Sequence, residues 1–254
     1  ILECLTILFA ILALARPQVG TEQEEIKSQG IEVLIAVDVS TSMLAEDVKP
    51  SRLEFAKSEV FRLVDQLAGN KVGVVAFAGA AALVAPMTTD RAALKMFVDS
   101  LSPNAVSSQG TEFKRALLEA KEAFRRGSAE TEDGGVNRVV VLVSDGEDNE
   151  PGAMEVANEL RKSGIRIFSL AIGTEKGAPI PIRDSAGALV GYKRDGKDQA
   201  VLSQTKGTVL KEFANVGGGS FYHATYGGNV VGQLVADIDR LEKTEFENQV
   251  VTNY

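Results

Sequence analysis

The sequence has one cysteine, Cys4, and one histidine, His223. A single cysteine excludes an intrachain disulfide framework and a thiolate metal centre, and a single histidine leaves little imidazole chemistry. Lys and Arg are scattered and outnumbered, 27 against 35 Asp and Glu for a net charge of -8. No basic stripe exists to hold nucleic acid. Several enzyme motifs are missing too: there is no G-x-x-x-x-G-K-[ST] phosphate loop and no G-x-S-x-G elbow. A serine hydrolase would have to use His223 as its base, and that residue reads as a strand-end neighbour of Tyr222. Nor is there an apolar run of about 20 residues, the length that crosses a bilayer.

What the chain does have is 44% apolar content over 254 residues, enough for a large core. Ile31 to Asp38 begins as a near-continuous run of Ile, Val, Leu and Ala, the pattern of a strand buried on both faces of a parallel sheet. Val72–Ala78, Val139–Val143 and Ile165–Ile172 repeat that pattern, and Ser220–His223 is a last strand. Ala81–Ala85 follows its predecessor too closely for a crossover helix, so it is expected as an antiparallel edge strand. Between the strands, apolar spacing predicts helices after the N-cap Ser51 with Glu54 as a capping box, over Arg91–Leu101, Glu112–Arg126 and Ala153–Ser163, and over Val209–Val216. Val231, Leu234, Ile238 and Leu241 mark a terminal helix. Met43–Pro50 reads as a polar loop. Thr174–Gly207 breaks the rhythm with turn signals at Asp184–Gly187 and Asp195-Gly196, and reads as a hairpin insertion over about 175–206. The expected fold is a doubly wound, mostly parallel six-stranded sheet with helices on both faces.

The chemistry gathers at strand ends. Asp38 closes the first buried strand, with Ser40 and Ser42 at alternate positions after it; Asp145 follows the third buried strand, and Thr111 stands at a helix start. Open α/β sheets bind ligands at the carboxyl ends of their strands. Two carboxylates and three hydroxyls are hard oxygen donors that suit Mg²⁺, with Mn²⁺ or Ca²⁺ as variants, and leave a coordination position for an outside oxygen. The plain alternative is that each of these residues only caps a helix or makes a turn. The run Asp145–Glu150 is no EF-hand, because Glu150 stands where the glycine belongs and Val156 where the last glutamate belongs.

The order DVSTS, then GT opening a helix, then VVVLVSDGEDNE resembles the von Willebrand factor type A (VWA) domain with its metal-ion-dependent adhesion site. Asp38, Ser40, Ser42, Thr111 and Asp145 fill the five positions of that motif, and the likeness spans about 31–241. ALARPQ, SMLAEDVKPSRLEFAK, FAGAAALVAPMTTDR and GAPIPIRD are similar to the bacterial Bat (aerotolerance) membrane proteins. The resemblance implies an inner-membrane protein whose VWA domain faces the periplasm, with a further membrane segment beyond Tyr254 and related VWA membrane proteins among its possible partners.

Residues 1–15 (ILECLTILFAILALA), apolar except for Glu3 and Thr6, are expected as the last part of a transmembrane helix, with a buried core helix and a signal-peptide core as the competing readings. Residues 16–30 are then a juxtamembrane connector and 242–254 a second one. The expected function is recognition: the metal docks an Asp or Glu of a partner protein, and no catalytic residue is assigned. Two rivals stand beside it. One is a Mg-dependent phosphoryl-transfer enzyme, which would ordinarily carry D-x-D where this chain has Ser40. The other is a structural assembly subunit with no metal-dependent docking.

Overall fold

Glu32–Asp38 form β1, buried along its whole length. The computed structural model describes residues 30–127, 136–147, 151–224 and 228–252, the last eleven of these as backbone only. The expected transmembrane segment 1–15 and most of the connector lie outside the described residues. Among the described residues no helix is long and apolar enough to cross a membrane.

β1 is followed by a 3-10 turn at Thr41–Leu44, then α1 (Arg52–Gln66), β2 (Lys71–Phe77), β3 (Ala81–Thr88), α2 (Arg91–Asp99), α3 (Phe113–Gly127), β4 (Arg138–Ser144), α4 (Ala153–Lys162) and β5 (Ile165–Ile172). After the insertion come α5 (Gly207–Gly217), β10 (Gly218–Ala224) and α6 (Val230–Thr252). The six main strands lie in the order β10-β5-β4-β1-β2-β3, parallel throughout except for the antiparallel β2–β3 pair.

Alternation along β1 builds two cores. Val33, Ile35 and Val37 pack with Leu63 and Val64 of α1, Val98 of α2 and Leu234 of α6. Leu34 and Ala36 face Phe113 and Leu117 of α3, Ala157 of α4 and Phe213 of α5. Both faces of the strand are covered, which is why its sequence is apolar without interruption. β1 lies between β4 and β2, so the chain first winds one way from β1 and then the other. The crevice between the carboxyl ends of β1 and β4 is therefore the topological switch point of the sheet.

The structure departs from the expected elements in four places. β3 runs three residues further, to Thr88, and carries Pro86; an edge strand tolerates proline because one row of its backbone groups has no partner strand. The Met43–Pro50 segment is less polar than it reads, since Met43, Ala45 and Val48 are buried. The insertion is two short ladders instead of one hairpin. β6 (Ala178–Pro179) pairs with β9 (Leu202–Ser203), and β7 (Pro181–Arg183) pairs with β8 (Leu189–Tyr192). Its tips are Asx turns: Asp184 Oδ1 accepts from Ala186 N and Ala188 N, and Asp195 Oδ1 from Lys197 N and Gln199 N, all within 2.8–2.9 Å. Finally, α6 continues to Thr252, through most of the segment expected as a connector.

Candidate metal centre

β1 ends at Asp38 with no exposed surface. Its Oδ1 accepts from Ser40 N at 2.8 Å, the bond that turns the chain out of the sheet. Ser40 Oγ and Ser42 Oγ are 2.9 Å apart, so alternate positions in the sequence become adjacent hydroxyls. From the neighbouring strand, Ser144 Oγ donates to Asp38 Oδ2 at 2.6 Å and accepts from Gly146 N at 3.0 Å. Asp145 is also fully buried. Gly146 adopts a positive φ, and a Cβ there would lie 2.2 Å from Lys206 O; the turn after Asp145 therefore requires glycine.

Asp38 and Asp145 feel each other's charge. Burial, and next the repulsion of Asp145, push the Asp38 carboxyl up to about 7, against smaller opposing hydrogen bonds from Ser144 and Ser40. Among the described residues Asp38 has no cationic partner. Thr111 is buried and arrives by another route. Glu112 N donates to Ala78 O at 2.9 Å, beside Phe77, the register partner of Asp38. Thr111 makes no hydrogen bond to the other four residues among the described ones. Three of the five residues are thus joined directly, Asp145 is coupled to them by charge, and Thr111 is delivered to the neighbouring strand end.

Arg52 is the residue that sequence reasoning missed. Its side chain is fully buried. Nη1 donates to Asp145 Oδ2 at 2.8 Å and to Ser203 Oγ at 2.6 Å. Nε and Nη2 grip Asp47 Oδ1 and Oδ2 at 2.8 and 2.9 Å, and Nη2 also reaches Ser203 O at 2.9 Å. Asp47 in turn accepts from Thr174 N and Oγ1. Burial alone would raise the Asp47 carboxyl, but Arg52 and Thr174 outweigh it and hold it below the ordinary value. Arg52 stays protonated, because Asp47 and Asp145 outweigh the burial that would lower it. One signal for this existed: a cation in the first turn of a helix opposes the macrodipole unless an acid compensates it.

These residues fit a hard divalent cation. Every donor is an oxygen, and at Asp38 burial and the nearby charge of Asp145 raise the affinity for a positive charge. Among the described residues no group of three or more His, Cys, Asp or Glu forms a metal cluster, so an ion here would depend on the hydroxyls. His223 makes no hydrogen bond to these five among the described residues; its Nε2 is 2.7 Å from Gly173 O.

Residues 33–147 match the family model for the von Willebrand factor type A domain. A UPF0353 protein of Nocardia farcinica is 32% identical over 248 residues, covering 93% of this chain and 69% of that protein. Other curated relatives are covered less fully, down to 50% of the length for a UPF0353 protein of Mycolicibacterium paratuberculosis. Among solved structures, BatB from Bacteroides thetaiotaomicron is 36% identical with a TM-score of 0.76, covering 84% of this chain and all of that one. An aerotolerance-related membrane protein from Bacteroides fragilis is also 36% identical, with a TM-score of 0.75, covering 83% of this chain and all of that one.

Proposed function

Since the chain belongs to the von Willebrand factor type A domain family and groups within it with the Bat and UPF0353 proteins, we propose that it is a membrane-associated recognition protein that docks an acidic residue of a partner through a divalent metal. The observation that supports this most is the pair of buried carboxylates, Asp38 and Asp145, at the switch point of the sheet, the first without a cationic neighbour among the described residues. Asp38, Ser40, Ser42, Thr111 and Asp145 would hold Mg²⁺, or Mn²⁺ or Ca²⁺ in its place. A bound dication supplies an electrophilic position at which an outside carboxylate can sit. The chain's own residues do the rest. Ser144 and Ser40 N orient Asp38, and Arg52 fixes Asp145 by one oxygen. The neutral hydroxyls add no charge to the two carboxylates, one of which already faces Arg52, which would leave the ion able to attract a further carboxylate.

The reading is one of binding without catalysis. Membrane association is supported by the description of the Bacteroides fragilis relative as a membrane protein and by the apolar run at 1–15. Placement in the cell envelope, with the domain on the periplasmic side and related VWA membrane proteins as partners, follows from the same kinship. Calorimetry of the full chain with MgCl₂ tests the metal, and crosslinked pull-downs from membranes with and without divalent cation test the docking. Asp38→Ala is expected to abolish both while the circular dichroism spectrum is retained. Partner capture that persists in EDTA would rule the reading out.

A further inference from the structure

Five of the eight large hydrophobic side chains most exposed on the described surface lie on the insertion: Ile182, Leu189, Val190, Tyr192 and Leu202, between 43% and 63% exposed. They are spread over the two ladders within 21 residues of chain, a concentration of apolar surface that a solvated loop does not need. The insertion is also fixed beside the candidate metal centre. Ser203 is held by Arg52 through both its hydroxyl and its carbonyl. Lys206 N donates to Asp145 O at 2.7 Å, and Lys193 Nζ reaches Thr41 Oγ1, between the two candidate ligand serines, at 3.1 Å.

Charge indicates what this surface takes. Residues 174–206 carry six Lys and Arg against four Asp and Glu, net +2, in a chain of net -8. Arg183 is paired with Glu46 and Arg194 with Asp198, so the lysines carry the excess; the insertion is a weakly cationic and apolar segment on an acidic molecule, set beside a site that would accept a carboxylate. Its position favours a protein over a lipid surface. Gly30 precedes β1 at the edge of the sheet opposite Asp38. α6 begins beyond the end of β10, and Asp237 accepts from Ser220 Oγ at 3.3 Å and from Tyr222 OH, so the helix runs back toward that same edge. The platform and the two described chain ends are at opposite sides of the domain.

We infer that the insertion is the second half of the docking surface and selects a partner segment in which the metal-seeking Asp or Glu is flanked by apolar residues. This rests on the docking reading above and names the partner chemistry of that site. The acid would sit at the ion, and the flanking side chains would bury against Leu189, Val190 and Leu202, with the insertion's cations favouring an acidic segment.

The test uses the full chain in detergent with MgCl₂ and a pooled peptide library having a fixed central Asp, or Asn in a control pool, and randomised flanks. Leu, Ile, Val and Phe within four positions of the Asp are expected to be enriched about tenfold over Ser and Gly. A Leu189→Ser, Val190→Ser, Leu202→Ser variant should lose that enrichment and keep both its Mg²⁺ binding and its preference for Asp over Asn. If Asp is preferred over Asn but the flanks are never enriched, the insertion has no such role and the metal reading survives. If apolar flanks are enriched without any preference for Asp, the shared site is refuted together with the metal reading. Cosedimentation with phosphatidylglycerol vesicles, or a dimer by sedimentation velocity, that the triple variant loses would assign the platform to lipid or to a second copy and overturn the proposal.

Discussion

The two carboxylates of the crevice live in opposite surroundings. Among the described residues Asp38 meets only neutral donors, Ser144 Oγ and Ser40 N, and burial raises its proton affinity. Asp145, one strand over and equally buried, has a guanidinium on one oxygen and Glu147 N on the other. A single buried arginine therefore divides the site into an ionic half that is complete without any ligand and a neutral half with a carboxylate still short of positive charge. The ionic half also carries the insertion, through Ser203 and Thr174, so it belongs to the architecture. The neutral half is where an added cation would find its gain.

The largest effect should come from the ionic half. Arg52→Met leaves Asp47 and Asp145 buried without their cation, and removing one partner of a buried ion pair costs about 3–5 kcal/mol. Urea denaturation of the full chain should show this loss. Arg52→Met combined with Asp47→Asn and Asp145→Asn should recover most of it, because no stranded charge remains. A single-variant cost below about 1 kcal/mol, the range of an exposed pair, would erase the division between the halves.

Most of the fold is legible in the sequence for a physical reason. Strands covered on both faces must be apolar at every position, so β1, β2, β4 and β5 announce themselves. Helices that cover only one face leave a three-and-four spacing. The limits of legibility are physical as well. Pro86 reads as a strand end because it has no ladder donor, yet on the unpartnered side of an edge strand that loss is no obstacle, and β3 runs on to Thr88. Met43, Ala45 and Val48 sit in a segment without periodicity, so their burial depends on contacts distant in sequence. Asp38, Ser40 and Ser42 can be picked out because their spacing survives folding as a hydrogen-bonded cluster. Arg52 cannot, since its partners are 5, 93 and 151 residues away. Only the first of these separations is visible as a local pattern.

A middle-sized effect should appear in the neutral half. The folded Asp38 carboxyl titrates at about 7 against an ordinary 3.8, so between those values the folded protein holds a proton that the unfolded chain has lost. Without metal, its contribution therefore falls as pH rises through that window. Mg²⁺ must displace the same proton, which makes its apparent affinity about thirtyfold weaker at pH 5.5 than above pH 8. Thermal unfolding should show a Mg²⁺-induced rise in Tm that is small at pH 5.5 and large at pH 8. At pH 8 it corresponds to about 2.7 kcal/mol when the metal is at one hundred times its Kd. Asp38→Asn should remove both the metal response and its pH dependence. A response of equal size at both pH values would place the metal away from Asp38.

The smallest effect separates orientation from charge. Ser144→Ala removes the donor on Asp38 Oδ2 and the acceptor of Gly146 N, for a stability loss of about 1 kcal/mol. Its more telling consequence concerns the proton. The Ser144 hydrogen bond lowers the Asp38 carboxyl, so its loss should move the midpoint of the Mg²⁺ response to higher pH. Ser203→Ala in the ionic half removes a hydroxyl at a similar distance from an equally buried group, but Arg52 keeps Asp47 and Asp145. The midpoint should not move in that variant. Equal shifts in the two would mean that the crevice titrates as one unit, and Arg52 would not be the boundary it is taken to be.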